Sequence, residues 1–460
     1  MRLASCIAVA AGASFMACDG ASQPPTDPVV RPDTSQAPIP VPESPVIPQP
    51  GSADATVSVD ARVQYQTIEG FGSSMRIFSD PHVIHEQGAI ENALQIGTAD
   101  QDAILRRLYQ EIGLTRVRPL HQSNLAQPTP GSIPRRDWVF ADGHIEIVKR
   151  AQPRGLQDWW LSPLVFESWI DRSVLPYVDW TMDVIRYWRS QGVELRYYSI
   201  VNEPSNPGVQ VSAEFLRQAV IELGARLRSE GFQTRLIIPD DINPRDGAIK
   251  ARVVLSDPVA RGYVGAIATH LYDYPLSAMA DMAAVAKEYA VPLWMTEFRL
   301  TDARPIAWGG LVYSLLADYD VSAVDYLFGF FSQRDNVALV DIIHSGRQFV
   351  AASITPAGYA TAQYARYVRP GAKRVAAVSS SAAVKVTAFT RDGKLVLVAL
   401  NDGATPLKVR FSITGLTGLE KLSLVRTTLT EKLRSVGRFD ITGDALIVEL
   451  PAESISTLIQ

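Results

Sequence analysis

The chain has 460 residues, of which 47% are hydrophobic and 20% are charged, and its formal net charge is −4 at pH 7. The length predicts two domains, and the composition is typical of globular proteins. A slightly acidic chain gives no reason to expect nucleic acid as a partner. Its two cysteines, Cys6 and Cys18, exclude a disulfide framework and a thiolate metal site.

The first residues have the pattern of an export signal. Arg2 precedes an apolar run that is too short to span a bilayer, which predicts a signal peptide over residues 1–17. The sequence Phe-Met-Ala-Cys that ends at Cys18 resembles a bacterial lipobox, although Leu is usual where Phe stands. We therefore expect an exported protein, periplasmic or at the cell surface, with a lipid anchor on Cys18. The alternative is plain cleavage near Ala17 and free secretion.

The next segments connect this signal to the folded part of the chain. Residues 18–52 carry the lipoprotein cysteine and a Pro-rich linker, because the repeated prolines exclude a helix or a central strand and favour an extended spacer. Residues 53–67 contain an alternating apolar and polar run that predicts a strand. That strand lacks a partner in the barrel proposed below, so we expect it to join the C-terminal domain.

Residues 68–369 alternate short apolar runs with longer helical patterns. Seven runs that follow a first strand near Gly70 predict further strands, at residues 115–119, 159–163, 197–201, 235–239, 264–270, 293–296 and 323–328. Helical patterns lie between them, at residues 102–112, 177–191, 212–230, 277–289 and 307–319. Thr355 and Pro356 form a start signal for the last helix. Eight such units predict a (β/α)8 TIM barrel. The structural alternative is a doubly wound sheet, but no dinucleotide fingerprint is present.

Residues 370–460 have a different pattern. Four short alternating runs are separated by turns, at residues 384–389, 395–400, 407–411 and 445–450. This spacing predicts a C-terminal β-sandwich domain.

Two glutamates stand where buried strands end. Glu203 follows the fourth predicted barrel strand and Glu297 ends the seventh, although Glu is disfavoured in strands and is rarely buried unpaired. Catalytic groups of such barrels lie at the carboxyl ends of the strands, so the two carboxylates can face each other. Facing carboxylates are what cleavage of a glycosidic bond requires. No metal-binding motif and no phosphate loop is found, so we expect neither a metal nor a cofactor.

Several motifs carry a resemblance to a known family. Asn202-Glu203-Pro204, His270-x-Tyr272 and Thr296-Glu297 resemble the signature of the retaining glycosidases of clan A. Four further features make the chain similar to glycoside hydrolase family 30, namely residues 68–72, Ser162-Pro163 followed by Trp169, Pro239-Asp240 and residues 359–371. The resemblance covers residues 56–460, and it is the ordered set of motifs that is specific.

The resemblance implies a retaining reaction in two steps. Glu297 would be the nucleophile and Glu203 the general acid and then the general base. For the first step Glu203 would have to stay protonated, with a pKa raised by apolar surroundings and by the charge of Glu297.

The remaining site residues follow from the same resemblance. Asn202 would bind the 2-hydroxyl of the sugar, Tyr272 would donate a hydrogen bond to Glu297, Arg118 would keep Glu297 ionised and His270 would line the sugar subsite. Purely structural roles are the alternatives: a loop cap for Asn202, hydrogen-bonded polar groups of the core for Tyr272 and His270, and a structural ion pair for Arg118. We interpret Asp240 and Asp241 as structural or loop-capping residues.

The chain also departs from the family pattern. Leu164 stands where the family usually has Trp after the third-strand Ser-Pro, and the eighth strand offers Phe328 and neighbouring aromatic residues where a Trp often stacks on the sugar. We expect Trp169 and Phe328 to bind substrate, and Arg76, Arg334 or Arg347 to read an acidic decoration on it.

The sequence therefore predicts a monomeric, retaining β-glycoside hydrolase that acts on a β-linked polysaccharide such as xylan or a β-glucan. One alternative is an exo-acting β-glycosidase on oligosaccharides. Another is a catalytically silent carbohydrate-binding barrel.

Overall fold

A computed structural model describes residues 45–49, 51–78, 96–121, 125–126, 135–136, 138–164, 173–272, 274–332, 337–346 and 348–460. The predicted signal peptide, Cys18, most of the Pro-rich linker, Trp169, Arg334 and Arg347 lie outside these ranges. Among the helices within them, none combines the length and the apolar character that crossing a membrane requires.

Eight parallel strands close into a barrel, as the sequence predicts. In chain order they are β2 (Gly70–Met75), β3 (Arg116–His121), β6 (Asp158–Pro163), β7 (Tyr197–Ser199), β8 (Arg235–Asp241), β9 (Val264–Leu271), β10 (Leu293–Phe298) and β11 (Ala323–Tyr326). The two short strands β4 (Leu125–Ala126) and β5 (Arg135–Arg136) form a separate hairpin after β3. Each barrel strand pairs with its neighbours in chain order, and β11 closes the ring against β2.

Helices surround the barrel. They are α1 (Thr98–Arg106), α2 (Val139–Ala151), α3 (Val174–Ser190), α4 (Ala213–Ser229), α5 (Pro244–Ser256), α6 (Pro258–Arg261), α7 (Met279–Tyr289), α8 (Pro305–Ala317) and α9 (Pro356–Ala365). The predicted start of α9 is confirmed, because the Thr355 hydroxyl accepts a hydrogen bond from the Gly358 amide. The helix predicted at residues 102–112 begins earlier, at Thr98, and its second half is a π-helix over Arg107–Ile112.

Large side chains fill the interior of the barrel. Trp160 and Trp294 lie there together with small residues, and the Arg116 guanidinium lies 4.0 Å from the centre of the Trp294 ring. Arg116 is fully buried and is paired with Asp158 at 2.7 Å and with Asp325 at 3.3 Å. The barrel is thus a packed core whose open end is at the carboxyl ends of its strands.

A small sheet follows the last barrel strand. It contains β12 (Phe328–Ser332), β13 (Ala338–Ser345) and β14 (Gln348–Ile354). The prediction of one eighth strand over residues 323–328 is therefore wrong at its end. The chain leaves the barrel after Tyr326, and Phe328 pairs with Ala338 of β13.

The second domain is a nine-stranded sheet. Its C-terminal members are β15 (Lys373–Ser379), β16 (Val384–Arg391), β17 (Lys394–Asn401), β18 (Leu407–Thr414), β19 (Lys421–Thr427), β20 (Arg434–Asp440), β21 (Ala445–Leu450) and β22 (Ser454–Ile459). The ninth strand, β1 (Ala55–Thr67), is the N-terminal strand that the sequence leaves without a barrel partner. It lies between β15 and β18, antiparallel to the first and parallel to the second. Inward-facing residues of β1, β16, β18 and β21 share one apolar core, as in a β-sandwich.

Residues 45–49, which the sequence analysis includes in the linker, lie against this domain. The Ile47 amide donates to the Arg438 carbonyl at 2.7 Å, and the Arg438 amide donates to the Pro45 carbonyl at 2.8 Å. Because β20 is the last strand of the sheet order, this segment covers an edge that would otherwise be unpaired over that length.

Candidate active site

The two predicted glutamates meet at the open end of the barrel. Glu297 lies in β10, and Glu203 lies in the loop that leaves β7. One carboxylate oxygen of each glutamate and one ring nitrogen of His270 all lie within 4.8 Å of one another. Both side chains are largely buried, with exposed fractions of 10% for Glu203 and 13% for Glu297. Two acids with this little solvent around them require partners for their charges.

Glu297 is held by residues from two other strands. Arg118 of β3, which is fully buried, donates one guanidinium N–H to Oε2 of Glu297 and another to Oδ1 of Asn202. Tyr272, just after β9, donates its hydroxyl to Oε1 of Glu297 at 2.8 Å. The structure thus brings Arg118, Asn202 and Tyr272 together around Glu297, and both of its oxygens accept a hydrogen bond.

Glu203 has a different set of partners. Nδ1 of His270 lies 2.8 Å from Oε1, and the side-chain amide of Asn206 donates to Oε2 at 2.8 Å. The Glu203 amide donates to the Asp240 carbonyl at 2.9 Å. The backbone φ of Glu203 is +51°, a region that residues other than glycine seldom adopt. The surrounding structure must impose this conformation on a residue other than glycine.

The structure corrects the expected protonation of Glu203. Burial by itself raises the pKa of this carboxyl, but the hydrogen bond and charge of His270, with Asn206 and Arg118, outweigh it and place the pKa below its ordinary value. The apolar surroundings and the charge of Glu297 are visible in the sequence. The cation beside Glu203 is not, because the position of His270 against that carboxylate depends on the packing of β9 against the loop after β7.

His270 is the proton-holding group of this site. It is fully buried, and burial alone would favour the neutral ring. The charges of Glu297, Asp240 and Glu203 outweigh that effect and raise the pKa of His270 to about 10. His270 therefore carries a positive charge at neutral pH.

Asp240 links the two halves of the site, a role that the sequence analysis does not foresee. It is fully buried at the end of β8, and its carboxylate accepts hydrogen bonds from Ser162 and Thr296, each at 2.7 Å. The same carboxylate lies 3.4 Å from Arg118 and 3.4 Å from Nε2 of His270. Burial raises the pKa of Asp240, but Arg118 and His270 reverse the effect and hold the pKa far below its usual range. The Pro-Asp-Asp sequence at a strand end is the signal that could have identified it.

Asp241 has the structural role that the sequence analysis assigns to it. Its carboxylate accepts hydrogen bonds from the amide of Ser205 at 2.8 Å and from its hydroxyl at 2.7 Å. Lys250 of α5 lies 3.2 Å from the same carboxylate. Asp241 therefore fixes the chain two residues after Glu203. Asn206, the donor to Oε2 of Glu203, is part of that same turn and is also missed from the sequence.

The predicted aromatic platforms have different positions. Phe328 is half-buried and stacks on Phe331 with ring centres 4.7 Å apart, and the Arg76 guanidinium lies 5.1 Å from the Phe328 ring centre. The Tyr326 ring of β11 packs edge-on against Phe298, with ring centres 5.3 Å apart. Trp169 lies outside the described residues. Phe328 thus belongs to a cluster with Phe331 and Arg76.

Glu203, His270 and Glu297 offer ligand atoms that are close enough together for a metal ion. All four carboxylate oxygens, however, already accept hydrogen bonds, from His270, Asn206, Arg118 and Tyr272. This donor set fits a pair of hydrogen-bonded acids, and we assign no metal ligand among the described residues.

Comparison with known proteins gives a family model and several relatives. The model described as the glycosyl hydrolase family 30 beta sandwich domain matches residues 371–458. The protein named glucuronoxylanase XynC from Bacillus subtilis (strain 168) is 24% identical over 302 residues, which are 62% of this chain and 65% of that protein. The alignment therefore spans about two thirds of the relative's length.

Solved structures share the fold. A glycoside hydrolase family 30 subfamily 8 xylanase, Xyn30A from Clostridium acetobutylicum, superposes with a TM-score of 0.69 at 21% identity and covers 88% of this chain and 99% of that one. The endo-beta1,6-glucanase BT3312 superposes with a TM-score of 0.69 at 16% identity and covers 89% and 95%. The barrel with its β-sandwich is the fold of these proteins, and the resemblance drawn from the sequence motifs is confirmed.

Proposed function

We propose that this chain, which belongs to glycoside hydrolase family 30, is a retaining β-glycoside hydrolase that cleaves a β-linked polysaccharide. One observation carries the proposal: an oxygen of Glu203 lies within 4.8 Å of an oxygen of Glu297. Retaining glycosidases hold their two carboxyl groups ~5–5.5 Å apart, whereas inverting enzymes leave ~6.5–9.5 Å for a water molecule. The short separation supports direct attack by one of the two acids.

The hydrogen bonds support the division of roles. Glu297 is fixed on both oxygens by hydrogen bonds from Arg118 and Tyr272, which orient it as a nucleophile requires. In the first step Glu297 attacks the anomeric carbon while Glu203 gives a proton to the leaving oxygen. In the second step Glu203 takes a proton from water, which attacks the same carbon and releases Glu297. The sugar leaves with the anomeric configuration that it had.

The relatives support a polysaccharide as the substrate. Those named above are a glucuronoxylanase, a xylanase and an endo-β1,6-glucanase. Xylan and β-glucans are accordingly the first substrates to test. Export and the lipid on Cys18 are part of the same proposal, because a polymer of this kind is met outside the cytoplasm.

The test follows reducing ends and product anomers on a panel of β-glycans. We expect the wild type to release β-anomers first, as followed by NMR, and Glu297→Gln to abolish cleavage while the protein still binds the glycan. The control Asp60→Asn changes a carboxylate of β1 in the β-sandwich, and it should cut like the wild type. Release of α-anomers first would exclude retention. A wild type that binds a glycan and cuts none of the panel would favour the carbohydrate-binding alternative.

A further inference from the structure

His270 lies between two carboxylates from neighbouring elements. Nδ1 faces Oε1 of Glu203 at 2.8 Å, and Nε2 faces Oδ1 of Asp240 at 3.4 Å. The ring is fully buried, so no water can stand in for either partner. The other ionisable groups around it are Glu297 on β10, Tyr272 on its own segment and Arg118 on β3.

Each ring nitrogen therefore faces an acceptor. A neutral imidazole has one N–H group and one lone pair, whereas the imidazolium has two N–H groups. With a neutral ring, the charge of Asp240 would draw the single N–H to Nε2. The lone pair on Nδ1 would then accept a hydrogen bond from the carboxyl group of Glu203 and hold its proton on Oε1.

The surroundings of Asp240 prevent this loss of the second ring proton from His270. Its two oxygens accept hydrogen bonds from Thr296 and Ser162, and Arg118 lies 3.4 Å away, so these three neighbours favour the carboxylate form. A fixed negative charge at Nε2 keeps a second proton on the ring. Nδ1 then remains a donor to Oε1 whether Glu203 is charged or neutral.

We infer that Asp240 is a positioning residue for Glu203: it holds His270 with an N–H on both ring nitrogens, so that His270 occupies Oε1 and reserves Oε2 for the proton that moves. This inference rests on the proposed function, in which Glu203 is the acid and base. Asn206 donates to Oε2 at 2.8 Å and leaves this oxygen free to carry a proton as well. The leaving oxygen takes that proton as its bond to the sugar breaks, and water returns one to Oε2 in the second step.

Charge balance explains when Glu203 gains its proton. With His270 charged, the cluster of Arg118, His270, Asp240, Glu203 and Glu297 has three negative and two positive charges. One proton on Glu203 brings the sum to zero. A sugar that excludes water from the cluster favours the uncharged sum, because desolvation penalises net charge.

The primary test reads the protonation of His270 without relying on catalysis. In protein labelled with ¹⁵N-histidine, imidazole nitrogen shifts identify each of the six histidines' protonation, and the His270 signals are those missing from His270→Gln. We expect both His270 nitrogens to carry protons in the wild type up to at least pH 8. In Asp240→Asn the ring should titrate at least about one pH unit lower. The control Ser162→Ala removes a neutral donor to Asp240 and should leave the titration in place.

A His270 that is neutral in the wild type at pH 7 would overturn the inference, even if Asp240→Asn does not fold. An unchanged titration in Asp240→Asn would also overturn it. Because both readings come from the resting protein, they stand apart from a failure of the proposed function, which would appear as a wild type that cuts nothing.

Kinetics then separate positioning from a structural role. For Asp240→Asn we expect kcat to fall at least about tenfold more on aryl glycosides with poor leaving groups, which need the acid, than on those with good ones. We also expect the alkaline limb of kcat to move to lower pH. Equal losses on both substrates with an unmoved limb would assign Asp240 a structural role only.

Discussion

Five ionisable side chains share one buried volume at the barrel mouth, and their charges decide where the proton lies. Arg118 and His270 are the cations, and Glu203, Asp240 and Glu297 are the acids. In the resting protein the proton is on His270, and the pKa of Glu203 is below its ordinary value. Glu203, the acid of the first step, must therefore gain its proton when substrate binds, because the resting arrangement favours its carboxylate form.

This charge distribution predicts that kcat and kcat/KM decline at different alkaline pH values. A lowered pKa means that the acid form of Glu203 is lost at low pH in the free enzyme, which kcat/KM reports. Bound sugar removes water and raises that pKa, so kcat, which reports the complex, should keep its activity to higher pH. We expect the alkaline limb of kcat to lie at least about one pH unit above that of kcat/KM, as measured on one aryl glycoside from pH 3 to 9. Coincident limbs, or a limb of kcat at lower pH, would contradict this account.

Single residues differ in how far the sequence reveals them. Glu203 and Glu297 can be identified from the sequence, because a glutamate at the end of a buried strand is unusual unless it has a functional role. The family resemblance identifies four more site residues, Arg118, Asn202, His270 and Tyr272. Their contacts become visible only in the structure. Asp240 is recognised only as a residue at a strand end, and its link between Arg118 and His270 is missed, because those partners lie on other strands.

At the scale of elements, the loop after β7 is held by its neighbour β8. Asp241 binds both the amide and the hydroxyl of Ser205, and Lys250 from α5 reaches the same carboxylate. Lys250 is 15% exposed and Asp241 is fully buried, so the pair is well shielded from water. The position of Glu203 is thereby set by residues that touch no substrate.

Asp241→Ala should destabilise the protein strongly. Removing one partner of a buried pair leaves Lys250 uncompensated and frees the Ser205 amide, at a cost of ~3 kcal/mol in the free energy of unfolding. Urea unfolding measures the change. The control is Asp302→Ala, which removes an ion pair to Arg304 whose members are 38% and 48% exposed, and it should leave the urea midpoint unmoved. Equal effects of the two variants would show that Asp241 does not hold the loop.

The regular elements are the part of the fold that the sequence reveals best. Parallel barrel strands are buried on both faces, so most of them are short and largely apolar runs that stand out from the helices between them. The strands β12, β13 and β14 are not predicted, because their pairing depends on the point where the chain leaves the barrel. The π-helical turns over Arg107–Ile112 also escape, since they keep a helical pattern while changing its geometry.

At the scale of the whole molecule, the β-sandwich is attached to the barrel through a continuous core. Phe389, Leu400 and Ile455 of the sandwich belong to the same apolar cluster as the barrel helices. The side-chain amide of Gln363 in α9 forms hydrogen bonds with the hydroxyls of Thr427 and Thr457. The two domains therefore resemble one folding unit more than two linked ones.

Two adjacent glycines of α8 test this interface. A methyl group at Gly309 would lie 2.7 Å from Ile455 and 3.1 Å from Leu400, whereas one at Gly310 would meet nothing within 4 Å. Gly309→Ala should cost ~1–3 kcal/mol of stability by overpacking. Gly310→Ala should gain up to ~1 kcal/mol from helix propensity. Calorimetry should show one transition in both variants, shifted in opposite directions. A gain of stability in both variants would mean that the interface accommodates the added methyl group without strain.

The domain division is visible in the sequence as a change of periodicity, but the interface is not. The sequence predicts four strands of the sandwich, where the sheet has eight after residue 370. The other four strands have six or seven residues each, and their patterns are weak without knowledge of the partner strand.

The place of β1 has a consequence for synthesis on the ribosome. Asp54, beside β1, donates its amide to Lys408, which is 354 residues later in the chain. Val57 and Val59 are thus translated long before β15 and β18 exist to cover them, and the whole barrel is made in between. During that interval the nascent chain presents an unpaired apolar strand, which is a site of aggregation. Rapid folding of the barrel cannot shorten this exposure. Residues up to Thr414, where β18 ends, must be translated before both sides of the first strand are protected. The yield of soluble protein should therefore depend on elongation through the codons for that part of the chain.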